Sequence, residues 1–341
     1  MIALTVLAGC RKDLCYGHSE EVNLHLEMIY SLNWHLPWDE DWNENWPEEW
    51  IVDWDRMLPK EPEGVRLHIF DSGSKVPVSN HNFESYGGSV PLNSGHYDML
   101  LYNNDTEGIV FENMHAASDA SATTRIRTRS AYSTRYPDEV TVSAPDILFA
   151  AYIPEFELEQ PQNGESIHRT IDVELTPRTW TYLIRYEFAA GQEYVGEAQA
   201  YLSGMAGGVC LKDGMTTNDK IVTLLLDCST CEYGVETIVR SFGLPGFDYE
   251  TVRLGGMSDR QAASEVTATN NLVLDMTLLS GKVKTVEFDV TDQVRRQPRG
   301  GVIVVKGIEV TKEEGQRPGG SGFEGEVNDW EENVDIDVPI V

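Results

Sequence analysis

Positive charge is scarce in this chain: 26 lysines and arginines stand against 56 aspartates and glutamates, a formal net charge of −30 over 341 residues. Such a field repels phosphate backbones, which argues against a nucleic-acid partner. It also opposes lying flat on anionic lipid, and it suits solubility in a crowded exterior compartment. After the N-terminus no stretch approaches the ~18 uncharged apolar residues of a membrane-spanning helix. Long segments of 3.6-residue periodicity with caps are missing as well. So are G-x-S-x-G, H-E-x-x-H, P-loop and dinucleotide fingerprints, and no spacing singles out a catalytic pair among the many carboxylates. An enzyme is not expected, nor a cofactor. With 41% hydrophobic residues and 24% charged, the chain reads as ordered, with about two domains at ~150 residues each.

The N-terminus carries the most specific signal. Ile2 to Ala8 is uncharged, Leu7-Ala8-Gly9-Cys10 places small residues before a cysteine, and charge begins at once with Arg11-Lys12-Asp13. That order resembles a bacterial lipoprotein signal, in which Cys10 becomes the acylated first residue of the mature chain. Signal segments are not read as fold. A basic start and a longer apolar core do not fit into nine residues, so either the start lies upstream or the match is accidental. Of the other cysteines, Cys15, Cys210, Cys228 and Cys231, the pair Cys228-Ser-Thr-Cys231 has redox or half-zinc spacing. The second ligand pair of a zinc site is missing, which favours a structural reading, either a loop disulfide or free thiols.

Period-two alternation dominates the rest. Val22, Leu24, Leu26, Met28, Tyr30, Leu32, Trp34 and Leu36 occupy one parity, with polar residues between, which marks a half-buried strand. Residues 65–70 alternate, and 97–112 reads as a hairpin or bent strand pair around Asn103-Asn104-Asp105. Ile171, Val173 and Leu175 alternate, then Trp180, Tyr182, Ile184, Tyr186 and Phe188. Further strands are expected at 221–226, 235–242, 271–279, 283–290 and 301–310. Short strands with turn signals predict an all-β chain of β-sandwiches. The polar, proline-bearing stretch 154–168 is the expected linker between an N-terminal domain (11–153) and a C-terminal domain (169–310). Residues 311–341 form a Gly-rich acidic tail, expected to be mobile through Gly325, and its alternating end 334–341 reads as a terminal strand.

Trp34, Trp38, Trp42, Trp46, Trp50 and Trp54 recur every four residues within the acidic segment 34–54. On a helix that step drifts ~40° each time, smearing the indoles over ~200°, and Pro37 and Pro47 interrupt it. In extended chain all six share one side. They can pack against their own sheet, dock a partner subunit or stack on sugar, which makes Trp38, Trp42, Trp46 and Trp50 candidate partner or glycan contacts. Asp39, Asp41 and Asn43 start like a calcium loop, but Glu44 and Trp50 stand where Gly and Glu are needed, so no metal is expected. Arg125, Arg127 and Arg129 share one face of an extended segment. They either meet nearby carboxylates or form an anion site.

Several motifs resemble Bacteroidetes lipoproteins of the fimbrillin-like superfamily: Cys10-Arg-Lys-Asp-Leu-Cys-Tyr16, the tryptophan ladder, Leu100-Leu-Tyr-Asn-Asn-Asp-Thr-Glu-Gly-Ile-Val-Phe111 and Ala122-Thr-Thr-Arg-Ile-Arg-Thr-Arg129. Ala200-Tyr-Leu-Ser-Gly-Met-Ala-Gly-Gly-Val209 and Phe288-Asp-Val-Thr-Asp-Gln-Val294 extend the likeness. The resemblance implies two tandem transthyretin-like Greek-key sandwiches and a palmitate-type acyl anchor on Cys10 in the outer membrane, facing the cell surface. It also implies that a fimbrial subunit docks by β-strand addition. The branch that this chain resembles has no assigned function. The expected role is a non-catalytic fimbrial anchor or accessory subunit in adhesion, with surface glycan binding as the alternative.

Overall fold

The structure, a computed structural model, describes residues 21–30, 60–126, 139–160, 168–249 and 259–316. Cys10, Cys15, the ladder with Trp38, Trp42, Trp46 and Trp50, Arg127, Arg129 and the segment 334–341 lie outside the described residues. The strands in chain order are β1 (Glu21–Tyr30), β2 (Gly64–Asp71), β3 (Pro77–Glu84), β4 (Gly87–Asn93), β5 (Gly95–Asn103), β6 (Ile109–Glu112), β7 (Ser121–Thr124), β8 (Val140–Ser143), β9 (Phe149–Leu158) and β10 (His168–Pro177). They continue with β11 (Trp180–Ala190), β12 (Val195–Ala206), β13 (Gly208–Cys210), β14 (Ile221–Asp227), β15 (Ser229–Cys231), β16 (Gly234–Ser241), β17 (Asn271–Leu278), β18 (Val283–Asp289) and β19 (Gly301–Glu309). The helices are short: α1 (Asp259–Ser264), α2 (Thr291–Arg296) and α3 (Lys312–Gly315).

Seven strands pair in a ring, β1-β10-β9-β5-β2-β3-β4. Two seams of the ring are short, which flattens it into a sandwich. β9 meets β10 only at Ala150 opposite Thr176 and Phe149 opposite Pro177, and β3 meets β4 only at Glu84 opposite Gly87. The faces β4-β1-β10 and β3-β2-β5-β9 close over Val65, Leu67, Ile69, Val90, Met99, Leu101, Val173 and Leu175. A second sandwich packs the sheet β15-β16-β11-β19 on β18-β17-β12-β14-β8. Tyr182, Ile184 and Tyr186 from one sheet meet Leu202, Leu224, Leu272 and Leu274 from the other, the inward parity that alternation requires.

A small sheet, β13-β7-β6, lies at the joint. Phe70, Leu100 and Tyr102 of the first sandwich share an apolar cluster there with Ile109, Ala122, Val209, Leu211 and Phe242. This joint explains why β5 is buried on both faces. Met99 and Leu101 point into the sandwich, Leu100 and Tyr102 into the joint, so its run is continuously apolar rather than alternating.

Alternation located β2, β10, β11, β14 and β16 to β19 within a residue or two, and the chain is an all-β sandwich protein. Two readings need correction. Residues 97–112 are no hairpin: β5 pairs with β2 and β9, whereas β6 pairs with β7. Asn103 ends β5 by donating to Asp105 and to Ile147 O while accepting from Phe149 N, which commits the strand to β9. The stretch 154–168 is also not simply a connector. Pro154 to Leu158 finish β9, and β10 lies in the first sandwich, not the second. Its proline and acids mark a bulge, where the register slips opposite Asp98 and Glu155 takes a positive φ of 49°; bulged strands tolerate such residues. The division is not sequential either, since β8 pairs with β14 in the second sandwich before β9 returns to the first. In the tail, residues 312–315 form α3, held by the Thr311–Glu314 capping box and by Lys284 on Glu314 at 2.9 Å.

Candidate docking site

β1 is held by its backbone on both sides. It runs parallel to β10, from Asn23 opposite His168 to Tyr30 opposite Leu175, and antiparallel to β4, from Glu21 opposite Asn93 to Glu27 opposite Gly87. β4 and β10 pair with β1 and not with each other, so β1 fills a slot one strand wide. Main-chain bonds carry such an insertion and read little of its sequence, the geometry by which sheets accept a strand from elsewhere. Residues 31–59 separate it from the next described segment.

The facing side of the sandwich is braced by polar contacts among β5, the β2–β3 turn and the β9 bulge. Asp98, 1% exposed, accepts hydrogen bonds from Ser72 Oγ at 2.9 Å, Lys75 Nζ at 2.7 Å and Glu155 N at 3.0 Å. Burial alone would raise its carboxyl; the bonds from Glu155, Lys75, Ser72 and Tyr152 outweigh that and hold it down at about 2. The Glu155 N–H freed by the β9 bulge is thereby satisfied. An aspartate inside the apolar run of β5 is the signal that could have found this group in the sequence. His68 on β2 lies further along the same pair of strands, its ring against Tyr102 and its Nε2 3.1 Å from the Tyr102 hydroxyl.

The second sandwich offers an open polar groove of about 650 Å³ along β12, β14, β15 and β17. Glu197, Gln199, Asp227, Asp275 and Cys228 line it. Gln199 lies opposite Asp227 on one side and Asp275 on the other, and Thr285 donates to Asp275 at 2.6 Å. Among the described residues no group of three or more such side chains is arranged to hold a metal.

Cys210, Cys228 and Cys231 are free thiols, so the CxxC spacing is not a disulfide. Burial, with Asp227 adding to it, pushes the Cys228 thiol up to about 12, and burial also raises Cys231 and Cys210. Protonated thiols are poor nucleophiles and poor redox partners. Arg125 is exposed just after β7; its N–H donates to Gly108 O and its carbonyl accepts from Ser143. Among the described residues no helix is long and apolar enough to cross a membrane.

Residues 49–227 match the family described as domain of unknown function (DUF5119). The chain belongs to this family. No curated protein matches it. Among solved structures, a "putative adhesin" from Bacteroides ovatus is similar at 19% identity and a TM-score of 0.59, covering 93% of this chain and 100% of its own. The fimbrial anchor protein Mfa2 from Porphyromonas gingivalis aligns at 11% identity and a TM-score of 0.48, over 84% of this chain and 90% of its own. A structure described as "putative polysaccharide binding proteins (DUF1812)" from Bacteroides thetaiotaomicron aligns at 11% and 0.46, over 84% and 91%. The DUF5119 chain thus has Bacteroidetes adhesin and fimbrial proteins as structural neighbours, as its motifs led us to expect, in a family whose function is unassigned.

Proposed function

We propose that this protein is a non-catalytic surface lipoprotein, tethered to the outer membrane through acylated Cys10, that acts as an anchor or accessory subunit of an adhesive fimbria. The observation that carries the reading is β1, a strand seated by backbone bonds between two strands that do not otherwise meet. A neighbouring subunit would dock by the same geometry, supplying or receiving one extended strand. The fold shared with the Bacteroides ovatus adhesin structure over its whole length supports it. Trp38, Trp42, Trp46 and Trp50 would add side-chain contacts to the partner, and residues 334–341, whose sequence alternates, would supply a second docking element.

Two experiments test it. Cys10→Ala should move the protein from the membrane fraction to the soluble one; unchanged partitioning refutes the tether. A chain starting at residue 31 should bind a synthetic peptide of residues 21–30 and regain its thermal transition, and a peptide with Leu26→Pro should not. If both peptides act alike, strand docking is wrong.

The groove on β12, β14 and β17 favours one second reading, a surface glycan-binding lipoprotein, because its carboxylates and Gln199 are acceptors for sugar hydroxyls. Arg125, with Arg127 and Arg129, would then meet an anionic sugar. Tryptophan fluorescence titrated with oligosaccharides separates the readings: a response abolished by Trp42→Ala or Trp46→Ala supports sugar.

A further inference from the structure

Among the described residues β19 is an edge strand, paired with β11 alone. From Val302 to Val305 it carries neither charge nor proline, the kind of open apolar edge that templates pairing with another chain. Other edges in the molecule are blunted by ordinary means. β18 carries Lys284, Glu287 and Asp289, and β6, β8, β13 and β15 have only three or four residues each.

β19 is closed by side chains. Val304 N donates to Gln293 Oε1 at 2.9 Å, and Gln293 Nε2 donates to Val304 O at 3.0 Å. One step along, Val302 N donates to Gln297 Oε1 at 2.8 Å, and Gln297 Nε2 donates to Val302 O at 2.9 Å. Each amide thus offers the N–H and C=O that a partner strand would. The spacing explains why a helix can do this: four residues of helix rise ~6.0 Å, and two residues of strand advance ~6.6 Å. The backbone also fixes which way each amide points, since a main-chain N–H can face only Oε1.

The surroundings serve the same arrangement. A Cβ on Gly301 would collide with the Gln297 amide, so the glycine makes room for it. α2 is pinned by Val294, fully buried in the core, and by Arg295, which donates to Val266 O and Ala268 O. Beyond Val305 the edge ends by other means, with exposed Lys306 bound to Glu187 and Gly307 at a φ of 80°.

We infer that α2 and the residue that caps it, Gln297, form a strand surrogate whose two glutamine amides keep β19 from pairing with β19 of a second copy of this chain. A second copy is the occupant that fits, because an uncharged valine-rich edge is complementary to itself across a two-fold axis. The net charge of −30 opposes the encounter at long range, so the test belongs at physiological salt, where screening acts over ~8 Å.

Gln293→Met with Gln297→Met keeps side-chain volume while removing the four bonds to β19, together with the bond from Gln297 Nε2 to Gln293 O. The double variant should sediment as a concentration-dependent dimer where the wild-type protein does not change, and its Val302 and Val304 amides should regain protection from hydrogen exchange as concentration rises. Sedimentation indistinguishable from wild type overturns the inference. Val294→Ala, which loosens α2 without removing an amide, should not dimerise; equal dimerisation by that control also overturns it. Should the double variant not fold, Gln293→Met alone is read the same way at Val304.

Discussion

In the first sandwich Asp98 and His68 are shifted down while Tyr102 and Tyr152 are shifted up; in the second the large shifts at buried groups, Tyr233, Tyr182, Tyr186 and Cys228, are all upward. Asp98 is held charged, down at about 2, and His68 is held neutral, down at about 4. The tyrosines and the thiol are also held neutral, but burial pushes them upward, Cys228 to about 12 and Tyr182 and Tyr186 well above the ordinary tyrosine range. Linkage turns this into opposite sensitivities. A depressed carboxyl or imidazole gives stability that fades as pH falls. A raised phenol or thiol gives stability that fades as pH rises through its unfolded value. The buried acid-sensitive groups therefore lie in the first sandwich, while alkali sensitivity is shared and larger in the second.

The joint is where that comparison can be broken. Phe242 is 1% exposed and belongs to the cluster that includes Leu100 and Tyr102 across the joint. Phe242→Ala should cost ~3–5 kcal/mol and turn one calorimetric transition into two, with that of the first sandwich moving further under acid. A single transition at every pH would mean that the halves are not separable.

Asp98 sharpens the acid side. Asp98→Ala strands the Glu155 N–H at the β9 bulge and should cost ~1–3 kcal/mol at neutral pH. Its contribution is complete above the ordinary value of 3.8 and fades toward about 2, so the variant's stability should fall less steeply over that window in a urea titration. Tyr186 sharpens the alkaline side. Its hydroxyl is buried without a hydrogen-bond partner, so Tyr186→Phe should gain ~1 kcal/mol and lose less stability as pH climbs past 10. A loss of stability at neutral pH would mean that the hydroxyl is satisfied after all.

Much of this was legible in the chain. Tyr182, Ile184 and Tyr186 announce β11 because both neighbours of the strand are in place and only one parity meets the core. β3, with Pro77-Val-Ser-Asn-His-Asn-Phe-Glu84, was not legible; its inward parity, Ser79, His81 and Phe83, is only half-buried, so polar residues serve there and no apolar alternation appears. β9 was hidden for a related reason, its bulge mimicking a linker. The slot for β1 was out of reach, since its partners β4 and β10 are distant in sequence and backbone bonds leave no side-chain pattern. The α2 amides were equally silent: two glutamines four apart look like solvated helix surface until β19 is beside them.

The smallest expected effect is at His68. Burial first, and the Arg66 charge second, hold its imidazole down at about 4, while the unfolded chain takes up that proton near 6.5. Between those values the unfolded state binds more protons than the folded one, so folding stability should decline as pH drops from 6.5 to 4. His68→Gln does not titrate and can still meet the Tyr102 hydroxyl, so neutral-pH stability should barely change. The slope of stability against pH in that interval should flatten, with the Asp98 window below it untouched. Denaturant melts at closely spaced pH values read this directly. If the slope persists in the variant, a group other than His68 carries the acid lability between pH 6.5 and 4.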